Sequence, residues 1–232
     1  MPLGIVTDMS ATPFSLEGLF DHATGDFTIL TVCTGNICRS PLAEQYLRAR
    51  LAGLPGLTVS SAGTMARDGD PMPAQAIAQA RAWGAEPDDH GARYLVESQI
   101  AEADLVFGMA REHRRAVVSM HPRASRHTFT LREFARLAEG LTEADLGGVA
   151  RLPRDDVPGR LRELVRLVAS RRGTIEAPRD PDDDDVIDPY KQSDAVFERS
   201  SAQLMPAADV VVAVFELAAT VTPHEAAPAR RS

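Results

Sequence analysis

A chain of 232 residues, 44% hydrophobic and 25% charged, suits one domain with extensions or at most two small ones, and can bury a core without disulfide staples. Its net charge of −8 argues against a general binder of nucleic acid or anionic membrane and leaves room only for a local basic pocket. Two cysteines, Cys33 and Cys38, fit a reducing compartment, hence the cytoplasm, better than a secreted scaffold.

The start, MPLGIVTDMSATPFS, has neither the basic opening nor the long apolar stretch of a signal peptide. Residues 1–26 hold no sustained period and read as an N-terminal extension. FTILTV (27–32) is β-branched and apolar and predicts a buried strand ending at Cys33. A helix is expected next, with Ser40 as its N-cap and Pro41 at its first position. Its core face would be Ala43, Tyr46, Leu47, Leu51 and Leu54.

LTVSS (57–61) predicts a second strand, 74–84 a helix closed near Gly84, and DLVFGM (104–109) a third strand. A short helix over 110–120 and a fourth strand, HTFTL (127–131), follow. Strands alternating with helices favour a parallel sheet. The pattern then changes. Residues 138–185 are rich in Gly, Pro and Asp around one amphipathic helix bearing Leu161, Leu164, Val165 and Val168. PRDPDDDD (178–185) reads as a solvated acidic loop. Residues 194–218 predict a last helix, with Pro206 a candidate kink, and 220–232 a disordered tail. No 18-residue apolar run marks a membrane span.

The stretch CTGNICRSP (33–41) carries the chemistry. It lies between a strand end and a helix start, where parallel sheets bind ligands. Helix N-termini offer unpaired N–H groups and partial positive charge. A loop curled around an oxyanion points successive amides inward, and Gly35 and Asn36 are the types that best tolerate the positive φ such curling needs. The same field favours the Cys33 thiolate, a nucleophile. Arg39 grips two phosphate oxygens at once, and Ser40 can donate to the thiolate. These parts predict attack on phosphorus and a phosphocysteine intermediate. Taken alone, a cysteine and an arginine six positions apart also describe a buried cysteine in a tight turn beside a surface arginine.

The stretch closely resembles the signature loop of the low molecular weight protein tyrosine phosphatases. SAGT (61–64), DHGAR (89–93), ADLVFGM (103–109) and VIDPY (186–190) resemble further family segments in the same order. The resemblance spans about residues 27–219, interrupted at 138–185, and is strongest with bacterial, especially actinobacterial, members. It implies a three-layer α/β/α fold with a four-stranded parallel sheet and a phosphate-binding loop after the first strand, working without metal or organic cofactor. It implies Cys33 as nucleophile, Arg39 as phosphate ligand and Asp188 as general acid and base. Thr34, Gly35, Asn36, Ile37, Cys38, Arg39 and Ser40 would bind phosphate, with Asn36, Ser40 and His90 in support. An alkoxide or phenoxide leaving group needs a proton donor, which agrees with the acid role.

Two features depart from the pattern. Phosphotyrosine enzymes of the family line their mouth with aromatics on two loops. Here Tyr190 would be one wall, and the loop MARDGDPM offers only Met65 for the other. The stretch 138–185 is expected to be a lid, a partner surface or a surface elaboration. Cys38 is either a redox partner for Cys33 or a small buried packing residue. His113, His121 and His127 read as surface residues, and Trp83 as core. Two cysteines five apart, without a partner pair, lack a zinc pattern.

The leading function is a phosphatase acting on a protein phosphotyrosine substrate, a bacterial tyrosine kinase among the candidate partners. An arsenate reductase-like enzyme and a non-catalytic phosphate-binding regulatory module are the alternatives. The first commonly relays oxidation through cysteines outside the loop, which this chain lacks. The second predicts loss of Cys33, Arg39 or Asp188, all present. Oligomeric state is left open.

Overall fold

The computed structural model describes residues 25–87 and 90–223. The expected N-terminal extension, but for its last two residues, lies outside them, as do residues 224–232 of the expected tail.

Four parallel strands form one sheet in the order β2-β1-β3-β4. They are β1 (Phe27–Cys33), β2 (Leu57–Gly63), β3 (Leu105–Gly108) and β4 (Thr128–Thr130). The connecting helices are α1 (Arg39–Arg50), α2 (Ala74–Ala82), α3 (Glu97–Glu102) and α4 (Arg111–Met120). Beyond β4 come α5 (Leu131–Ala138), α6 (Gly147–Ala150), α7 (Val157–Ser170) and α8 (Asp194–Thr220). Short α3 and α5 escape the sequence reading, since neither offers enough turns for a helical period to stand out.

Strand alternation sorts the core into two layers. Phe27 and Ile29 of β1 pack with the helical layer of α1, α5, α7 and α8, whereas Leu30 and Val32 pack with Leu95, Ile100 and Val117. Phe134 on α5 joins three rings edge to face: Phe107, Phe129 and Phe215. The predicted face of α1 is buried at Ala43, Tyr46, Leu47 and Leu51.

The middle of segment 138–185 is part of the core rather than a loose surface elaboration. Val157, Leu161, Leu164, Val165 and Val168 of α7 are buried in the larger core cluster, with Val149 and Ala150 of α6. Side chains of this size each stabilise by about 1.5–3 kcal/mol when buried. Polar contacts also fasten it. Arg162 donates to Asp104 at 2.8 Å, and the Arg172 guanidinium lies 3.9 Å from the Phe129 ring centroid. Arg160 is fully buried and donates to the carbonyls of Ala218, Leu152 and Val221. It thus sets a positive charge on the C-terminal carbonyls of α8, where the helix dipole favours one. Its action extends the domain past the expected end at residue 219. The helix runs to Thr220 and Val221 is buried.

Among the described residues, α8 alone is long and apolar enough to cross a membrane by length and composition. In this fold it packs on α1, α2, α5 and α7, and its apolar residues serve the core. Pro206 sits inside this single continuous helix.

Candidate active site

The loop after β1 closes on itself at Cys33. The Asn36 N–H donates to Cys33 Sγ at 3.2 Å, and Ser40 Oγ lies 3.0 Å from the same sulfur. Cys33 is buried. Only Asn36 takes the positive φ expected of this turn, at 53°, while Gly35 does not. Asn36 is fully buried with each polar end occupied. Its amide donates to Ser40 Oγ at 2.9 Å and Ser61 Oγ at 2.8 Å, its side-chain carbonyl accepts from the Arg93 N–H at 2.8 Å, and His90 Nε2 lies 2.7 Å from its backbone carbonyl. Ser61 in turn donates to Glu44, which pairs with Arg48. The loop is therefore pre-shaped by bonds that need no phosphate.

Ser40 is not the N-cap. The helix starts two residues earlier than expected, at Arg39, with Cys38 as cap and no side-chain cap bond. The Ser40 hydroxyl is committed to the thiol and to Asn36, and a buried sulfur beside it outcompetes a helix end that can spread its N–H groups around the loop. Gly63 is a site residue that sequence reading passes over within SAGT. A Cβ there would stand 2.6 Å from the Thr34 carbonyl oxygen and 2.8 Å from the Asn36 nitrogen. Only glycine lets β2 lie this close under the loop.

Arg39 is buried, and its guanidinium is the meeting point with the distant acid loop. It donates to the Val186 carbonyl at 3.0 Å and pairs with Asp188 at 2.8 Å. The Asp188 side chain is 49% exposed, so it is less sheltered than its apolar flanks suggest. The loop carrying it is held on all sides. Val186 N–H donates to Met109 O at 2.8 Å, Ile187 N–H to Gln203 at 2.9 Å, and Ser200 to the Ile187 carbonyl at 2.9 Å. The aspartates before it are not simply solvated. Asp185 forms a multiple pairing with Arg111, Asp184 a double one with Arg136, and Arg132 donates to the Asp185 carbonyl. Composition alone does not separate such a staple from a charged loop, because the arginines come from α4 and α5.

A cleft of about 570 Å³ opens over Arg39 and Asp188, lined also by Ala110, Arg111, Glu112 and Gln203. Tyr190 and Met65 are exposed, the latter at 74%. Trp83 caps α2 and is 40% exposed, a correction to its reading as core. Gly84 closes that helix with φ at 74°, a C-terminal turn that makes room for an exposed ring. Ile37 packs beside Cys38, Met72 and Phe197. Both cysteines are free thiols. Burial pushes the Cys38 thiol up to about 12, helped by the negative groups of Cys33 and Asp188, so it rests as a protonated packing residue. Among the described residues, no group of three or more His, Cys, Asp and Glu has a metal-binding arrangement.

This geometry has close counterparts. The sequence description of the family "Low molecular weight phosphotyrosine protein phosphatase" matches residues 28–146, half of the chain. The chain belongs to that family. A probable low molecular weight protein-tyrosine-phosphatase of Ralstonia solanacearum, EpsP, is 39% identical over 106 residues, 46% of this chain and 71% of that protein. A protein-arginine-phosphatase of Geobacillus stearothermophilus is 35% identical over 149 residues, 63% of this chain and 99% of that one. Among solved structures, a low molecular weight protein tyrosine phosphatase from T. tengcongensis superposes with a TM-score of 0.57 at 28% identity, covering 82% of this chain and 99% of that one. The phosphatase thus has the parallel α/β fold of its relatives and the cysteine-based hydrolytic chemistry characteristic of the family.

Proposed function

We propose that this phosphatase hydrolyses protein phosphotyrosine through a phosphocysteine on Cys33. The observation that carries the reading is the thiol at the base of a closed loop, with Asn36 N–H and Ser40 Oγ on its sulfur and the Arg39–Asp188 pair above it. The substrate phosphate takes the Arg39 guanidinium from Asp188 and lies on the amides of residues 34–39. Asp188, released from Arg39, takes up a proton from solvent; the Cys33 thiolate attacks phosphorus, the P–O bond to the tyrosine breaks, and Asp188 delivers that proton to the leaving oxygen. Asp188 then accepts a proton from water as that water attacks the thiophosphate. Inorganic phosphate leaves, Cys33 is regenerated and Asp188 returns to Arg39. Ser40 donates to the sulfur, which steadies it as nucleophile and as leaving group. His90 holds the loop through Asn36.

Exposed Tyr190, two residues past the acid, and exposed Met65 supply apolar surface for an aromatic ring. A second reading is phosphoarginine, favoured by the identity with the Geobacillus enzyme over 99% of its length. The partners we infer are phosphotyrosine proteins, a bacterial tyrosine kinase among them, in the cytoplasm, where the two thiols stay reduced.

The test is turnover of p-nitrophenyl phosphate and of phosphotyrosine, phosphoserine and phosphoarginine peptides. Cys33→Ser is expected to lose at least about 10⁴-fold in kcat. Asp188→Asn is expected to lose roughly a hundredfold on phosphotyrosine, and less on p-nitrophenyl phosphate, whose leaving group needs less help. A higher kcat/KM for phosphoarginine than for phosphotyrosine would select the second reading. Turnover that survives Cys33→Ser would remove the mechanism.

A further inference from the structure

His113 is not on the surface. It sits in the first turn of α4 with its side chain 1% exposed. Its Nε2 lies 3.0 Å from Thr34 Oγ1, in the residue directly after the nucleophile. Its Nδ1 is buried and has no hydrogen-bond partner. The approach is built in from the strand below. A Cβ on Gly108 would stand 3.2 Å from the His113 Cβ and 2.9 Å from the Arg114 nitrogen, so only glycine seats α4 this close.

The unpartnered nitrogen decides the tautomer. A proton on Nδ1 would bury an orphaned N–H, which proteins avoid more strictly than an unused lone pair. The proton therefore belongs on Nε2, which donates to Thr34 Oγ1 and leaves the threonine hydroxyl proton free. The charged groups facing the ring are Glu112, whose carboxylate lies 3.5 Å from Nε2, and, at longer range, Arg39, Asp185 and Asp188. Burial, with Arg39 adding to it, holds the imidazole down at about 4, so it is neutral at physiological pH.

The loop is tied elsewhere as well. Thr64 N–H donates to the Cys33 carbonyl at 3.0 Å and Met65 N–H to the Thr34 carbonyl at 2.8 Å, both from the β2 side. His90 holds Asn36. The side of Thr34 toward α4 has His113. We propose that His113 is a positioning residue of the phosphate cradle: its Nε2–H fixes Thr34 and so aligns the amides that receive the phosphoryl oxygens. The inference rests on the proposed reading of the loop as a phosphate site.

The experiment measures inorganic phosphate binding in a Cys33→Ser background, where no turnover is needed, and kcat/KM for p-nitrophenyl phosphate in the Cys33 enzyme. His113→Phe keeps the ring bulk without the donor. His113→Gln offers an amide donor at similar reach. Thr34→Val removes the acceptor. Phosphate affinity and kcat/KM are expected to fall about tenfold in His113→Phe and in Thr34→Val. The double variant is expected to be no worse than the weaker single, and His113→Gln to recover to within about threefold of the parent. Unchanged phosphate affinity in His113→Phe overturns the proposal. So do equal losses in the Phe and Gln variants, or losses that multiply in the double variant. If His113→Phe fails to fold, Thr34→Val beside Thr34→Ser decides, and equal affinity in those two overturns it. A protein without turnover whose phosphate binding still depends on His113 removes the catalytic reading and keeps this one.

Discussion

The cradle and the acid loop solve the same problem, holding a reactive group still, by different means. Around Cys33 the holding bonds are short, buried and mostly between uncharged groups: Asn36, Ser40, Ser61, the Arg93 N–H and the strand under them. Around Asp188 the backbone is pinned by Met109, Gln203 and Ser200, but the approach from the insert is stapled by Arg111, Arg132 and Arg136 onto aspartates. Neutral buried bonds hold a fixed shape regardless of salt. Half-exposed ion pairs are worth less, weaken with salt, and leave a loop that can give way, as the proposed release of Asp188 from Arg39 requires.

Crowding the cradle is the strongest way to break this contrast. Gly63→Ala places a methyl against the Thr34 carbonyl and Asn36 nitrogen. The expected result is a loss of roughly a hundredfold in kcat/KM, since a shift of about 1 Å in a catalytic constellation costs that much. A variant with normal turnover and vanadate affinity would mean the loop is softer than its bonds imply.

The acid loop is expected to yield less. Asp185→Asn keeps the backbone contacts and removes the charge that faces Arg111. A loss of about threefold in kcat is expected, in line with a partly exposed ion pair. The parent's kcat should fall as salt rises from about 0.05 to about 0.5 M, and the variant's should not. A loss as large as that of Gly63→Ala would place the two regions on one footing.

A separate effect, on stability rather than on turnover, appears in acid. His113 is held down from its ordinary value of 6.5 to about 4 by burial. As pH falls below 6.5 the unfolded chain takes up a proton that the folded chain refuses. The unfolded state therefore binds more protons between pH 6.5 and 4, and stability drops across that window. The full effect is about 3 kcal/mol. Urea unfolding at several pH values should show a shallower decline for His113→Gln. Parallel curves would mean that the ring charges in the folded state.

Reading the chain in order recovers much of the architecture. The four strands, α1, α2, α4, α7 and α8 each have a period or a punctuating residue long enough to see, such as Gly84 after α2. α5 escapes such a reading although its capping box of Thr130 and Glu133 stands in the sequence, because the apolar run beyond it is short. Ser40 reads as a cap and instead lies against the thiol. His113 and Trp83 exchanged places, one buried and one exposed. Neither has a periodic neighbourhood that tells inside from outside. The stretch 138–185 reads as a lid, a partner surface or a surface elaboration, yet its α7 stripe lies in the core, since an apolar face names no partner in advance.

The loop that joins Cys33 to Arg39 is legible in one dimension, because CTGNICRSP is contiguous and its local backbone preferences form the turn. Asp188 was reached through resemblance. Only the tertiary structure brought the acid loop to Arg39, across 147 positions at Val186, and His113 to Thr34 across 79. Such pairs are set by how strands and helices stack, and a stacking distance leaves no mark on the spacing of residues along the chain.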